Sequence, residues 1–308
     1  MTTDLWSAYK RNFEAERDMW QYYLMKAVSR LACLLPDRAR QLAGKGLGRI
    51  FWAGVPRWRK NLATAQAAMC LKVSESAAKA IVKDSVLKYG GMIMEVLSFP
   101  LLDKDNVRDK VVFADEGRFK EIIARPEGFV LATAHFGNWE LLGAALSLCG
   151  CRLVAVAQKQ HNAAMDRFIN EYRALVGEHV TYRTGVMEMA RMLEKGFAIG
   201  LLADQDGGKG GVKAEFFGRE SSCPKGPAAL ARLKKTPLYL MLLRQQAAGR
   251  HEIFISEPIK GEITGDRETD IRNTTDALMN MLEREIRKAP AMWFWLHDRW
   301  KAKKHFYR

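Results

Sequence analysis

The spacing of apolar residues changes once along the chain, close to residue 110. Before that point apolar side chains recur every three or four positions, which is the period of an amphipathic helix. These helical blocks cover residues 20–35, 38–51 and 75–98. Pro36 and Pro56 separate the blocks, because proline interrupts a helix. The pattern therefore predicts that residues 1–110 form a helical region packed on the rest of the chain.

Beyond residue 110, short apolar runs alternate with helical segments. The runs "GFVLATAHF", "CRLVAVAQ" and "FAIGLLADQD" have the length of strands, whereas "NWELLGAALSLCG" and "VMEMARMLEKG" have the helical period. This alternation predicts an α/β core over residues 111–308, with a mixed, largely parallel central sheet flanked by helices. Two apolar runs on either side of Ala248 and Gly249 predict an antiparallel hairpin. No repeat or low-complexity linker divides the chain, so the two regions are expected to form one unit.

The N-terminal helical region contains a candidate membrane segment, residues 19–36, "MWQYYLMKAVSRLACLLP". Lys26 and Arg30 interrupt it, and it is shorter than the roughly 20 apolar residues of a spanning helix. It fits a helix lying in the membrane interface, with Trp20, Tyr22 and Tyr23 at the depth of the headgroups. A helix packed on the protein's own core fits the same pattern. No cleavable signal peptide is expected, because charged residues precede any apolar run.

The net charge is +14, and the basic residues are concentrated in two stretches. Residues 38–60 hold seven basic residues and no acidic one, and residues 299–308 hold five basic residues and no acidic one. The seven are Arg38, Arg40, Lys45, Arg49, Arg57, Arg59 and Lys60. Such stretches attract nucleic acid, an anionic lipid surface or an acidic protein. Composition alone does not choose among these partners.

The chain has five cysteines, an odd number in a long chain. A disulfide scaffold is therefore not expected, and the count favours a reducing, cytoplasmic environment. Cys149 and Cys151 form half of a possible metal site, but no second Cys or His pair stands at ligand spacing. No metal is expected.

The run "GFVLATAHFGNWE" places His135 at the end of a predicted buried strand and Glu140 five positions later. In open α/β sheets, functional sites lie at the carboxyl ends of the strands. A helix is expected to begin near Gly137 or Asn138, so the His135 ring in the preceding turn can fold back toward the Glu140 carboxylate. A carboxylate beside an imidazole fixes its tautomer and favours its protonation, as in a general base with its orienting group. A structural histidine beside a surface glutamate fits the same spacing.

A second polar cluster follows another predicted strand. The run "LLADQDGG" places Asp204, Gln205 and Asp206 at the same edge of the sheet as His135. Further along, "PKGPAALAR" brings Lys225 to the start of a helix whose amides can hold an anion or an oxyanion. Acidic strand ends and a histidine on one edge indicate a catalytic site.

Five motifs, in this order, resemble the bacterial lipid A late acyltransferases, the secondary lauroyl and myristoyl transferases of the lysophospholipid acyltransferase superfamily. The motifs are "AHFGNWE", "ADQD", "EFFG", "GPAALA" and "WLHDRWK". The resemblance extends to "LLP" at 34–36 and "KNL" at 60–62, so it covers nearly the whole chain. It implies a glycerolipid acyltransferase-like fold with a membrane-associating helical N-terminus. Glutamate at position 140, where the wider superfamily has aspartate, is similar to the lipid A branch.

The resemblance implies an acyltransferase that moves a fatty acyl chain from acyl carrier protein to a hydroxyl of a lipid A precursor. His135 would be the general base and Glu140 its orienting group, with nearby amides or cations holding the charge on the thioester carbonyl. No metal or redox cofactor is needed. The expected partners are acyl carrier protein, the lipid precursor and an anionic membrane surface, at the cytoplasmic face of the inner membrane. The expected substrate-binding or supporting residues are Asn138, Asp204, Gln205, Asp206, Arg173, Lys159, Gln158 and Lys225.

One departure from the family pattern leaves the acceptor open. By alignment on Asn162, Gln158 stands where family members often have an arginine. Lys159 follows it but is not equivalent to arginine at a bidentate site, whereas Arg173 fits the family pattern. A phospholipid or glycolipid acyltransferase of the same superfamily, using acyl-CoA or acyl carrier protein, is therefore an alternative. A basic nucleic-acid-binding protein would explain the charge but not His135 and Glu140, and a membrane-bound structural protein with a degenerate site is a further alternative.

Overall fold

A computed structural model of the protein describes residues 19–246 and 250–301. The helices that precede the first strand are α1 (19–34), α2 (Asp37–Gly54), α3 (Arg57–Leu71), α4 (Glu75–Leu97) and α5 (Val107–Lys110). The later helices are α6 (Glu116–Ile123), α7 (Trp139–Leu148), α8 (Ala163–Leu175), α9 (Val186–Glu194), α10 (Gly226–Lys234) and α11 (Arg267–Lys288). Several begin where the sequence supplies a cap. Ser74, for example, accepts a hydrogen bond from the Ala77 N–H at the start of α4.

The described residues form nine strands in two sheets. They are β1 (Val111–Phe113), β2 (Val130–Thr133), β3 (Leu153–Ala157), β4 (His179–Tyr182), β5 (Ala198–Leu202), β6 (Val212–Phe216), β7 (Arg219–Cys223), β8 (Leu238–Gln245) and β9 (His251–Ile255). The main sheet has seven strands in the order β1-β9-β8-β2-β5-β3-β4, and β6 pairs with β7 in a separate hairpin. The predicted fold class is confirmed: the central sheet is mixed, largely parallel and flanked by helices.

Five of the seven strands run in the same direction, because β2 pairs in parallel with β5 and β8, and β3 pairs in parallel with β4 and β5. Only β9, antiparallel to β8, and β1, parallel to β9, run the other way. The predicted pairing of β8 with β9 as antiparallel neighbours is confirmed, although residues 247–249 between them lie outside the described residues. The carboxyl ends of β2 and β5 are neighbours, since Thr133 pairs with Leu202. Residues that follow these two strands therefore meet at one edge.

The core consists of two apolar layers, one on each face of the main sheet. Along β8, Leu240 and Leu242 face the layer that α3, α4 and α11 cover, whereas Met241 and Leu243 face the layer under α6, α7 and α8. Each of these four side chains is fully buried. Strands covered by helices on both faces are apolar at every position, which explains the unbroken apolar runs of the sequence.

The N-terminal helices cross closely, and glycine makes the crossing possible. A Cβ atom on Gly48 of α2 would lie 2.2 Å from the carbonyl oxygen of Leu87 in α4. A Cβ on Gly90 would lie 2.0 Å from the Gly44 carbonyl oxygen. Both distances are shorter than any real contact, so α2 and α4 pack backbone to backbone.

One face of α1 packs on the core and the opposite face is exposed. Tyr22 and Ala32 are buried, whereas Leu31 and Leu34 are 64% and 80% exposed and Tyr23 is 64% exposed. The expectation that Tyr22 lies at headgroup depth is therefore wrong, because its ring is in the core and its hydroxyl donates to Glu171. Among the described residues, no helix has both the length and the apolar character needed to cross a membrane.

Candidate active site

His135 lies in the tight turn between β2 and α7, and its backbone is held by the segment that follows α11. The Gly137 N–H donates to Met292 O at 2.8 Å, and the Phe294 N–H donates to His135 O at 3.0 Å. Gly137 has φ +61°, and a Cβ there would lie 2.2 Å from Leu243 O, so this position requires glycine. These backbone hydrogen bonds therefore fix the position of His135 independently of the contacts of its side chain.

The carboxylate of Asp204, at the end of β5, binds the His135 ring. Asp204 Oδ1 lies 2.9 Å from His135 Nδ1, and Asp204 Oδ2 accepts from the His135 backbone N–H at 3.1 Å. The indole N–H of Trp293 donates to the same Oδ2 at 2.9 Å. Because an ionised carboxylate only accepts hydrogen bonds, the proton of the neutral ring is on Nδ1 and the lone pair is on Nε2.

Burial and charge act in opposite directions on this pair. Burial alone would lower the pKa of His135, but the charge and hydrogen bond of Asp204, together with the charge of Glu140, outweigh it and raise the pKa. Burial alone would raise the pKa of Asp204, yet His135 and the donated hydrogen bonds hold it below its ordinary value. The pair is therefore built to stabilise a positive charge on the imidazole.

The expectation that the Glu140 carboxylate folds onto the His135 ring is wrong. Glu140 faces α8 instead and accepts two hydrogen bonds from Arg173, at 2.9 Å from Nε and 2.7 Å from Nη2. The helical turn directs Glu140 away from the strand edge, and the neighbouring end of β5 supplies Asp204 in its place. Trp139 links the two groups, because its indole N–H donates to Glu140 at 3.1 Å and its ring packs edge-on against His135 at 4.8 Å.

A third carboxyl group, Glu178, is buried beside the Arg173–Glu140 ion pair. Burial, reinforced by the negative charge of Glu140, raises the pKa of Glu178 to about 8 even though Arg173 opposes the shift. Its Oε1 atom has no hydrogen-bond partner within the described part of the chain. A Cβ on Gly143 of α7 would lie 2.6 Å from that oxygen. Sequence reasoning missed Glu178, since nothing in "LVGEHVTY" marks its glutamate as buried.

The remaining members of the "ADQD" motif connect His135 with the C-terminal motif. Gln205 Nε2 lies 3.5 Å from His135 Nε2, which is the limit of a hydrogen bond. The Asp206 N–H donates to Nε2 of His297 at 3.2 Å, and Lys301 Nζ lies 2.6 Å from Asp206 Oδ2. His297 was missed as a site residue, although "WLHDRWK" carried part of the resemblance.

The other expected substrate-binding or supporting residues have different surroundings. Asn138 is buried as the N-cap of α7, where its Oδ1 accepts from the Leu141 N–H at 2.9 Å and its amide donates to Glu95 at 2.6 Å. Gln158 is exposed and accepts from Arg183 at 3.3 Å. Lys159 and Lys225 are exposed, and among residues 19–246 and 250–301 neither makes a hydrogen bond or ion pair with the His135–Asp204 cluster.

Side chains that could ligate a metal ion are not grouped in the part of the chain that the structure describes. Across residues 19–246 and 250–301, no group of three or more His, Cys, Asp or Glu side chains is arranged to hold a metal ion. All five cysteines are free thiols, and burial raises the pKa of Cys151 to about 12. The arrangement is instead that of an acid–base site: an oriented imidazole with an unprotonated Nε2, a buried carboxylate behind it and an aromatic ring beside it.

Comparison with known proteins identifies the family of the chain. Residues 10–302 match the family model of the bacterial lipid A biosynthesis acyltransferases. The chain is 25% identical over 230 residues to a phosphatidylinositol mannoside acyltransferase of Mycolicibacterium smegmatis, covering 72% of this chain and 73% of that protein. It is 27% identical over 226 residues to the Mycobacterium tuberculosis protein of the same name, covering 71% and 69%.

A third relative is the lipid A biosynthesis palmitoleoyltransferase of Escherichia coli. The chain is 28% identical to it over 180 residues, covering 57% of this chain and 56% of that protein. The family model and the relatives all describe acyltransferases, so this protein is an enzyme of that kind. The resemblance based on "AHFGNWE", "ADQD" and "WLHDRWK" is confirmed: this chain belongs to the bacterial lipid A biosynthesis acyltransferase family.

Proposed function

We propose that this enzyme transfers a fatty acyl chain from a thioester on acyl carrier protein to a hydroxyl of a lipid A precursor, with His135 as the general base. The observation that carries the proposal is the His135–Asp204 pair, whose Nδ1 contact leaves Nε2 unprotonated at the edge of the sheet. Family membership and the name of the Escherichia coli relative support the lipid acceptor.

The proposed reaction begins when the acceptor hydroxyl is within hydrogen-bond reach of His135 Nε2. The hydroxyl proton moves to Nε2 as the oxygen bonds to the thioester carbonyl carbon, and the carbonyl oxygen gains the negative charge. Asp204 stabilises the imidazolium that forms. The carbonyl double bond then re-forms as the C–S bond breaks, and the imidazolium returns the proton to the departing thiolate. No step of this proposed reaction calls on a metal or redox group.

Glu140 and Arg173 act in this scheme as positioning residues. Their two hydrogen bonds fix the start of α7 against α8, and the Trp139 ring between Glu140 and His135 restricts rotation of the imidazole. The charge of Glu140 also helps to raise the pKa of His135. Both side chains are 15% exposed, so the pair is weakly screened by solvent.

The surface of the N-terminal helices supports attachment to a membrane. Exposed apolar side chains lie on α1, α2 and the first turn of α3. They include Trp20, Tyr23, Leu31, Leu34, Leu42, Ile50, Phe51 and Trp58. Arg38, Lys45, Arg49 and Arg57 are cations of the same region. Apolar side chains bordered by cations favour an anionic lipid surface, which we assign to the cytoplasmic face of the inner membrane.

One observation favours a different acceptor. The mycobacterial phosphatidylinositol mannoside acyltransferases match 72% and 71% of this chain, more than the 57% matched by the Escherichia coli lipid A enzyme. Gln158 also stands where lipid A enzymes often have arginine. A glycolipid or phospholipid acceptor is therefore the second candidate, with the same base and the same donor chemistry.

A product assay distinguishes these acceptors. The purified full chain would be incubated with lauroyl- or myristoyl-acyl carrier protein and, separately, with the corresponding acyl-CoA. The acceptors would be tetraacyl lipid A precursor, phosphatidylinositol mannoside and lysophospholipid. We expect a product of the lipid A precursor that is heavier by one acyl chain, formed from the acyl carrier protein donor and absent with His135→Ala.

Each other result has a definite meaning. A product formed only from phosphatidylinositol mannoside or lysophospholipid would replace the lipid A proposal by the second candidate. Transfer only from acyl-CoA would overturn the assignment of the donor. Unchanged transfer by a folded His135→Ala variant would overturn the assignment of the base.

A further inference from the structure

A second histidine, His297, lies at the same edge of the sheet as His135 and has no role in the proposed reaction as described so far. It belongs to the segment that follows α11, and the loop after β5 holds both imidazoles. Asp204 of that loop contacts His135 Nδ1, and two residues later the Asp206 N–H donates to His297 Nε2 at 3.2 Å. The two rings are close enough that the charge of His135 affects the pKa of His297.

The tautomer of His297 follows from its contact with the backbone. A backbone N–H is always a donor, so Nε2 of His297 is the acceptor and carries no proton. Burial lowers the pKa of His297, and the charge of Arg299 acts in the same direction against the opposing charge of Asp204. The ring is therefore neutral near pH 7, and its one N–H group is at Nδ1.

That N–H group is available to a ligand. His297 Nδ1 has no hydrogen-bond partner in the described ranges. It is also not enclosed by protein atoms. The side chain is half-buried, so Nδ1 is the accessible side of a ring whose other nitrogen is anchored to the loop. A donor that is anchored to the same loop as a general base needs no reorganisation when negative charge develops near it.

We propose that His297 contacts the substrate and donates its Nδ1 hydrogen bond to the thioester carbonyl oxygen as the hydroxyl attacks. This rests on the proposed acyl transfer and adds the oxyanion-binding group to it. The pKa values are consistent with this division of roles. The pKa of His135 is raised, so this ring takes the proton. The pKa of His297 is lowered, so its ring stays neutral and does not repel the imidazolium of His135. The sequence candidate for this role was the N-terminus of the helix that follows Lys225; Lys225 itself is exposed and makes no contact with the cluster among the described residues.

Two substitutions of His297 separate a donor from a structural contact. In His297→Asn, the amide occupies the position of Nδ1 and keeps the proposed donor but loses the acceptor for Asp206. In His297→Gln, the amide reaches the position of Nε2 and keeps the bond to Asp206 but loses the donor. Gln is therefore the variant expected to keep the local structure, and Asn the variant expected to keep the chemistry.

We expect His297→Gln to fold with a melting temperature close to that of the parent and to lose kcat by about 10²–10³-fold, the usual effect of removing one oxyanion donor. His297→Asn should retain roughly ten times more activity than His297→Gln, or better, because it keeps that donor. Rates would be compared per folded molecule, with the donor and acceptor that give the parent enzyme its highest activity. If the activity of His297→Asn is less than about ten times that of His297→Gln, the proposal is overturned.

The parent enzyme separates the failure of this inference from that of the proposed function. If the parent transfers acyl chains but His297→Asn is not about tenfold more active than His297→Gln, only the role of His297 is overturned. If the parent transfers no acyl chain from either donor to any acceptor in the panel, the proposed function falls and His297 loses its role with it.

Discussion

At the scale of single residues, the site depends on pairs that come from distant parts of the chain. His135 and Asp204 are 69 residues apart, and Glu140 and Arg173 are 33 apart. Each residue could be selected from the sequence: His135 and Asp204 because a polar side chain after an apolar strand is a local signal, Glu140 by its spacing from His135, and Arg173 by the family pattern. The pairing could not be selected, since a strand end does not reveal which strand lies beside it. Only the adjacency of β2 and β5 makes Asp204, rather than Glu140, the partner of the imidazole.

This pairing leads to a prediction for Asp204→Asn. The parent requires neutral His135, and Asp204 helps to raise its pKa, so activity should decline as pH falls below a pKa that lies above the ordinary 6.5. Without the carboxylate charge, this acidic limb should move to lower pH. The rate at the optimum should fall by about 10²–10⁴-fold, because the imidazolium and the required tautomer both lose their support.

The measurement is kcat/KM as a function of pH for Asp204→Asn and for Trp293→Phe as the matched control. The control removes one hydrogen bond from the same carboxylate but keeps its charge. The Trp293→Phe variant should therefore show a smaller loss of kcat/KM and an acidic limb at nearly the same pH as that of the parent. An acidic limb in Asp204→Asn at the same pH as the parent would show that Asp204 does not set the pKa of the base.

At the scale of elements, the periodicity of apolar residues predicted most helices and the central strands, because burial on one or both faces leaves a regular pattern. The β6–β7 hairpin left a weaker signal. Its second strand reads "RESSC", four polar residues and one cysteine, and its turn contains Phe217 at φ +57° rather than a typical hairpin dipeptide. The first strand, β6, packs on α11, and this contact is one that the sequence of the second strand does not indicate.

The crossing of α2 and α4 gives a prediction at this scale. Gly48→Ala should lower the free energy of unfolding by about 1–3 kcal/mol, because its Cβ would overlap the Leu87 carbonyl and force the helices apart. Gly46 lies in the same helix, and a Cβ added there would have no atom within 4 Å. Gly46→Ala should raise the free energy of unfolding by up to about 1 kcal/mol through helix propensity.

Urea denaturation of the two variants and the parent tests this contrast. Helix propensity acts alike at both positions, so the difference between the variants isolates the close contact. Equal stabilisation by both substitutions would mean that the helices do not touch at Gly48.

At the scale of the whole molecule, the sequence indicated a membrane-associating N-terminus but left open whether the first helix faces lipid or protein. In the structure Tyr22 is in the core, and Leu31 and Leu34 are on the surface. The ambiguity was physical, because an apolar helix that packs one face on the core and leaves another for lipid is apolar all round. Neither its period nor its composition could separate the two faces.

The exposed face of α1 should therefore govern binding to vesicles. Replacing both Leu31 and Leu34 with serine should weaken binding to anionic vesicles by at least about tenfold, because each leucine inserted into lipid contributes about 1.5–3 kcal/mol. The matched control replaces Leu175 and Leu233, which are 51% and 58% exposed on α8 and α10, with serine. Sedimentation with vesicles measures both. Equal weakening by the two double variants would exclude α1 as the specific contact.

The segment after α11 that contacts the site follows every strand of the sheet in chain order, so it is synthesised after them. Met292, Trp293 and Phe294 hold the His135 turn and the Asp204 carboxylate, and His297 is anchored on the same loop. The sheet that carries His135 is complete by β9, so a growing chain can fold its scaffold well before the pieces around the base arrive. A chain synthesised only as far as β9 therefore has the His135–Asp204 pair but lacks the contacts of Met292, Trp293 and Phe294 that hold it.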